Sequence, residues 1–248
     1  MRADELAEMF DLEDHYWWFR GRRTLAQSLL SRYRVWREGD RILDVGCGTG
    51  ATVDELRAYG RVVGLDRSMA ALGFCRTRKL TSLVCSEAGE IPFPDDTFDA
   101  VVALDVLEHV GDDARVLRES ERVTRPGGVV LLTVPAFRFL WSGHDEVLHH
   151  LRRYRAPEIG ALMRDAGLEI LKLSYAMFLL FPPIALYRMV ERISGAGDGA
   201  QTTLRSVPGV VNRLLYGLLC LEARWLRVGT FPFGVSIVGV GRKRVKGP

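Results

Sequence analysis

Three observations predict an α/β fold built on a doubly wound, mostly parallel sheet. Short β-branched apolar runs alternate with helix-length segments along most of the chain. The runs are continuously apolar rather than alternating, as expected of strands covered on both faces. A glycine-rich turn follows the first run directly, where such sheets receive ligands. With 248 residues, 48% of them hydrophobic, the chain can bury one large core.

In chain order, residues 1 to 38 precede the first strand, carry the aromatic cluster HYWWFRGRR (15 to 23), and read as an N-terminal helical cap. Strands are expected at RILDV (41 to 45), RVVGL (61 to 65), SLVC (82 to 85), FDAVVAL (98 to 104) and GVVLLTV (128 to 134). Asp112 through Thr124 reads as a crossover helix between Gly111 and Pro126-Gly127. A further helix from Pro157 breaks at Ala166-Gly167 into another strand, and FGVSIVGVG (233 to 241) reads as the last one. The sheet unit is thus expected over 39 to 176 and 232 to 245. Residues 177 to 231 are too long for an idle loop and read as a helical insertion or lid, with SGAGDGAQTT (194 to 203) linking two apolar segments.

The second of those segments repeats Val211, Leu214, Leu215, Leu218, Leu219, Trp225 and Leu226 at helical spacing, interrupted by Arg213, Glu222, Arg224 and Arg227. With MFLLFPPIALY before it, residues 173 to 227 supply apolar surface for a lipid-like acceptor or for peripheral contact with a membrane. Leu173 to Tyr187 is uncharged but broken by Pro182-Pro183, too short for the roughly 20 residues a span needs. Residues 1 to 20 have no apolar signal core. The expected location is the cytoplasm, at most peripheral to the inner face of the membrane. A dispersed net charge of +3 argues against a nucleic-acid partner. Cys47, Cys75, Cys85 and Cys220 lack CxxC spacing, and His144, Asp145, His149 and His150 lack a ligand pattern, so no metal is expected. Nothing in the sequence indicates an oligomeric state.

The chemistry begins at DVGCGTG, with Asp44, Gly46, Cys47, Gly48 and Gly50 leading into a helix near Ala51. Glycines here permit positive φ and close approach of the backbone to a nucleotide. Asp66, 22 residues after Asp44, stands at the end of the second strand, placed to accept from both hydroxyls of a ribose. Gly46-x-Gly48-x-x-Ala51 also fits the dinucleotide fingerprint, and Asp66 would serve NAD equally well. These residues alone specify a nucleoside ligand and leave both readings open.

Together with CSEAGEIPFPDDTFDAVVALDVLEHV (85 to 110), the strings ILDVGCGTG and GLDRS closely resemble class I S-adenosylmethionine-dependent methyltransferases. The resemblance covers roughly residues 40 to 135, in the group that includes ubiquinone/menaquinone-type C-methyltransferases and many O- and N-methyltransferases. It implies a Rossmann-like sheet of seven strands in the order 3-2-1-4-5-7-6, the last antiparallel, and S-adenosyl-L-methionine as cofactor. Asp44 and the glycine loop would hold the methionine part, Asp66 with Arg67 beside it the ribose, and Glu87 with Ala88 the adenine. Glu87 stands where the family usually has Asp, and Gly89 where it usually has an acid. Leu104 and Asp105 would lie near the sulfonium. HYWWFRGRR and HDEVLHHLRRY (144 to 154) resemble paired signatures of a bacterial subgroup found among genes for lipid, glycan or secondary-metabolite assembly.

Tyr16, Trp17, Trp18 and Phe19 are expected to cap the cofactor and line an acceptor pocket, with Arg20 or Arg23 pairing with the methionine carboxylate. If the acceptor must lose a proton, His109 is the first candidate base, with Asp105 and His144 behind it. His144 or His150 is a candidate for acceptor binding or proton transfer, against a structural network with Arg152, Arg153 and Tyr154. Leu104-Asp105-Val106-Leu107 replaces the [DN]PP[YF] motif that methylation of adenine in DNA would need. The leading expectation is methyl transfer to a small-molecule or lipid-like acceptor. The alternatives are a non-catalytic cofactor-binding or membrane-associated assembly protein, and an NAD-dependent oxidoreductase.

Overall fold

The computed structural model describes residues 3–194 and 207–245. Seven strands form one sheet: β1 (Arg41–Val45), β2 (Arg61–Asp66), β3 (Leu83–Cys85), β4 (Phe98–Leu104), β5 (Thr124–Pro135), β6 (Leu168–Ala176) and β7 (Ser236–Lys243). Their order is β3-β2-β1-β4-β5-β7-β6, with β7 antiparallel to both neighbours and the remaining pairs parallel. β4 is buried at every position because it lies at the centre with helices on both sides, which explains its unbroken apolar run.

The helices are α1 (Ala3–Glu13), α2 (Trp17–Tyr33), α3 (Ala51–Leu56), α4 (Met69–Thr77), α5 (Asp113–Val123), α6 (Gly143–Val147), α7 (Ala156–Asp165), α8 (Phe181–Ser194) and α9 (Gly209–Leu226). One face of the sheet packs Leu43, Val101 and Val130 against Val116 and Leu117 of α5 and Ile159 and Met163 of α7. The other packs Ile42, Val102 and Leu131 against Leu29 and Leu30 of α2, Leu56 of α3, and Ala223 and Leu226 of α9. Residues 17–33 and 209–226, expected as cap and insertion, therefore supply one layer of the core. They also bind each other: Ser28 Oγ donates to the Ala223 carbonyl (3.2 Å), and the Trp17 amide donates to Asn212 Oδ1 (2.9 Å).

Several boundaries differ from the sequence reading, most of them by one or two residues. The crossover helix ends at Val123, and the strand expected at 128 already begins at Thr124, which pairs with Phe98. A register shift between Phe98 and Ala100 absorbs Pro126 and Gly127 instead of ending the strand there. The last strand starts at Ser236 rather than Phe233, because Phe233 packs with Phe178 and Phe181. The linker expected at 194 to 203 lies outside the described residues from 195 on. No helix among the described residues is long and apolar enough to cross a membrane.

Candidate active site

The chain reverses its direction of growth across the sheet between β1 and β4, and a cavity of about 900 Å³ opens at the carboxyl ends of these strands. Such a switch point is where open α/β sheets bind ligands, and the volume lies at the upper end for small-molecule sites. Of the expected cofactor residues, Asp44, Gly46, Cys47, Gly48, Asp66, Arg67, Glu87, Ala88, Leu104 and Tyr16 all reach its wall. Gly50 does not: at φ 96° it caps α3 and faces Cys75 and Leu80, so its role is to shape the turn.

The glycine turn is held by backbone hydrogen bonds from Gly46 and Cys47 to the Leu65 carbonyl (2.7 and 3.0 Å). Gly48, at φ 54°, donates its amide to Asp66 Oδ2 (2.9 Å), while the Ser68 amide donates to Oδ1 (2.8 Å). Each Asp66 oxygen keeps a lone pair for a ribose hydroxyl. A side chain at Gly48 would meet Met9 of α1, which lies over the loop. Buried Glu13, at the end of α1, accepts from Thr49 in the turn and pairs with Arg78 (2.8 Å), tying this helix to the cofactor loop. At the mouth, Arg67 and Glu87 face each other at 3.9 Å, both largely exposed.

Asp44 is fully buried; burial pushes its carboxyl up to about 8, with the Arg22 guanidinium acting in the opposite direction. Among the described residues its Oδ2 has no hydrogen-bond partner, and neither has the buried Nε of Arg22 on the same wall. An unpaired carboxylate oxygen and an unpaired guanidinium N–H fit the ammonium and carboxylate of an amino acid, and the neighbouring Asp66 fits a ribose. The residues thus fit the amino-acid and ribose parts of S-adenosylmethionine.

The arginine expected to meet the carboxylate is corrected by the structure. Arg20 lies over the Tyr216 ring of α9, 4.0 Å from its centroid, and buried Arg23 pairs with Glu55 (2.7 Å). Arg22 reaches the cavity and forms a short ion pair with Asp105. Helix geometry explains the exchange: Trp18 and Arg22 share one face of α2, while Arg20 and Thr24, which contacts Tyr216, share the face toward α9. Asp105 is likewise corrected as a base. Arg22 occupies one oxygen and Thr133 donates to the other (2.8 Å), and these contacts outweigh burial to hold the carboxyl below its usual range. Asp105 is a charged post that positions Arg22.

The opposite wall is aromatic and apolar, with Trp17, Trp18, Phe19, Leu140, Ile184 and Tyr187. At its polar end stand His109, His144 and His150. Burial pushes His109 and His144 down to about 4, so both are neutral at neutral pH. His150 donates from or accepts at Nδ1 against Asp145 Oδ1 (2.8 Å), and Arg153 binds both oxygens of Asp145 (2.7 and 3.0 Å). Arg152 and the Tyr154 hydroxyl pair with Asp113 (3.0 and 2.8 Å), so only part of the expected network forms around Asp145. The Leu151 amide donates to the Glu108 carbonyl (2.7 Å), which brings His150 against His109 with ring centroids 4.8 Å apart.

Sequence reasoning missed Arg22, Glu108 and Asp145 as groups that shape the cavity. Glu108 is fully buried, neither of its oxygens has a hydrogen-bond partner among the described residues, and burial raises its carboxyl well above the usual range. Among the described residues, Glu108, His109 and His150 are a group of metal-ligating types with donor atoms within 4.8 Å of one another. Asp145 engages His150 at Nδ1, which leaves Nε2 as that ring's donor in the group.

Residues 43–132 match the family described as "Methyltransferase domain". A "Probable S-adenosylmethionine-dependent methyltransferase" of Mycolicibacterium smegmatis is 34% identical over 163 residues, 64% of this chain and 62% of that protein, so the chain spans just under two thirds of its length. A ubiquinone biosynthesis O-methyltransferase of Pseudomonas paraeruginosa is 33% identical over 191 residues, 65% of this chain and 81% of that protein. In fold, the chain is similar to a Haloferax volcanii methyltransferase solved in complex with the Trm112 activator, with a TM-score of 0.63, 23% identity, and 99% and 96% of the two chains covered. The nicotinamide reading of the glycine turn is thereby set aside. With the sheet order, the Asp44 and Asp66 geometry and these likenesses in agreement, the chain belongs to the S-adenosylmethionine-dependent methyltransferases.

Proposed function

We propose that this methyltransferase acts on a small, lipid-like acceptor and that the receiving atom is a hydroxyl oxygen. The observation that carries the reading is the continuity of one cavity from the Asp44, Gly48 and Asp66 floor to the wall of Trp17, Trp18, Leu140, Ile184 and Tyr187. The likeness to a protein named as an O-methyltransferase of ubiquinone biosynthesis supports both the oxygen and the apolar character of the acceptor. Leu186, Met189 and Val190 on α8, with Leu214, Leu221 and Trp225 on α9, are exposed and support peripheral contact with a lipid surface.

When bound, S-adenosylmethionine supplies an electrophilic methyl group with a neutral thioether as leaving group. Asp44 and Arg22 would hold its amino-acid end, Asp66 its ribose, and Glu87 with Ala88 its adenine. The protein's remaining task is orientation and exclusion of water. Asp105 keeps Arg22 in place, the aromatic residues of α2 close one side, and the histidines stand where an acceptor hydroxyl would enter.

The test is calorimetry with S-adenosylhomocysteine and with NADH, followed by a screen of alkylated phenols for S-adenosylhomocysteine release. Binding of the former alone, with turnover of a phenol, is expected. Binding without release from any acceptor would favour the cofactor-binding assembly protein.

A further inference from the structure

Three histidines border the acceptor end of the cavity, and the structure treats them unequally. No hydrogen bond within the described residues orients the imidazole of His109 or of His144, and the buried Nδ1 of His144 is unpartnered. His150 alone is oriented by a carboxylate, with Nδ1 2.8 Å from Asp145 Oδ1. Asp145 is itself completely buried, held by two contacts from Arg153 and by the amide of Ser142 (2.9 Å). These charge-assisted contacts outweigh burial and keep it ionised. An ionised carboxylate can only accept, so Nδ1 of His150 must carry the hydrogen, and the lone pair is left on Nε2.

We infer that His150, positioned by Asp145, is the group that takes the proton from the acceptor hydroxyl. This rests on the reading of the site as an O-methyltransferase. In the step, the acceptor O–H bond breaks and an Nε2–H bond forms. The oxygen pair so freed forms the bond to the methyl carbon, whose former bonding pair stays on sulfur. The imidazolium then returns its proton to solvent. His109 meets His150 edge to face in this arrangement and is not the base expected from the sequence.

The charges around His150 suit this role. From its own segment comes Arg153, and from α6 come Asp145 and neutral His144. From the turn after β4 come His109 and the carboxyl of Glu108, which burial pushes well above its usual range, with the paired Asp105 and Arg22 behind them. Asp105 and Asp145 each have an arginine partner, and the contact from Asp145 orients the His150 ring.

The test is nitrogen-15 NMR of the imidazoles in the full chain saturated with S-adenosylhomocysteine, which also reports cofactor binding independently. At pH 7.5, His150 is expected with hydrogen on Nδ1 and a free Nε2; hydrogen on Nε2, or on both nitrogens, overturns the inference. Asp145→Asn should shift this tautomer balance, and an unchanged balance overturns the positioning. As an optical readout, 4-nitrophenol bound to the same complex should show its phenolate band at a lower pH than in buffer. His150→Gln should abolish this shift while S-adenosylhomocysteine affinity stays within about threefold, whereas His109→Gln should preserve it. Persistence of the shift in His150→Gln, or its loss on adding EDTA and return with magnesium or zinc, overturns the inference and points to another base or to a metal. If S-adenosylhomocysteine fails to bind, the cofactor reading fails instead.

Discussion

The floor and the roof of the cavity are built by different means. The floor, from Asp44 to Asp66, is shaped by backbone: parallel strands, a turn with glycines at positive φ, and a carboxylate accepting two amides. The roof, from α2 and α8 with α9 packed behind them, is shaped by side chains: Trp17 and Trp18 in a cluster with Met177, Leu180, Leu215 and Leu219, and Arg20 on Tyr216. Its outer surface leaves Leu214 and Leu186 more than half exposed. A backbone-built floor tolerates little change and serves a fixed ligand, whereas a side-chain-built roof can be altered residue by residue. That division suits one shared cofactor and a changeable acceptor.

The strongest test of the contrast is on the floor. Gly48→Val places a β-branched residue at φ 54° against Met9 and should remove S-adenosylhomocysteine binding detectable by calorimetry. Asp66→Ala removes a charged acceptor worth about 1.5–3 kcal/mol and should cost at least about 10-fold in affinity. Unchanged affinity in either variant would mean that the floor is not the cofactor site.

Next is the exchange of roles between neighbouring arginines. Arg22→Ala leaves Asp105 unpaired in a largely buried place and should cost about 3 kcal/mol of stability, together with cofactor affinity. Arg20→Ala removes a cation–π contact and should cost about 0.5–1 kcal/mol, with cofactor affinity intact. Thermal unfolding with and without ligand separates the two, and equal effects would contradict the assignment.

Asp44 predicts a proton balance. Its folded pKa is raised to about 8, so its contribution to stability in the free protein is complete below the unfolded value near 4 and is lost as pH rises through 8. A ligand ammonium favours the carboxylate, so cofactor binding near pH 7 should release a proton, and Asp44→Asn should abolish that release. Calorimetry in buffers of different ionisation enthalpy measures it.

The smallest expected effect on the cofactor is at the roof's outer surface. Leu214→Asp should lower co-sedimentation with anionic liposomes severalfold while S-adenosylhomocysteine affinity stays within about threefold. Collapse of cofactor affinity in a variant still folded by circular dichroism would mean that floor and roof are one unit.

By itself the sequence determined the α/β class, the strands RILDV and FDAVVAL to the residue, the glycine turn and the place of Asp66. These are local consequences: strand burial sets an apolar run, a tight turn requires glycine, and the fingerprint spacing follows from the length of one βαβ unit. The sheet order and the cofactor came from the family resemblance, because no local pattern encodes which strands become neighbours. Tertiary structure alone decided which arginine of RGRR faces the ligand, since that depends on how α2 is rotated against α9. It alone placed residues 17–33 and 209–226 in one layer, because amphipathic patterns mark an apolar face without naming its partner. It alone joined His109 to His150 through the bond from Leu151 to Glu108, a contact between segments some 40 residues apart that no periodicity records.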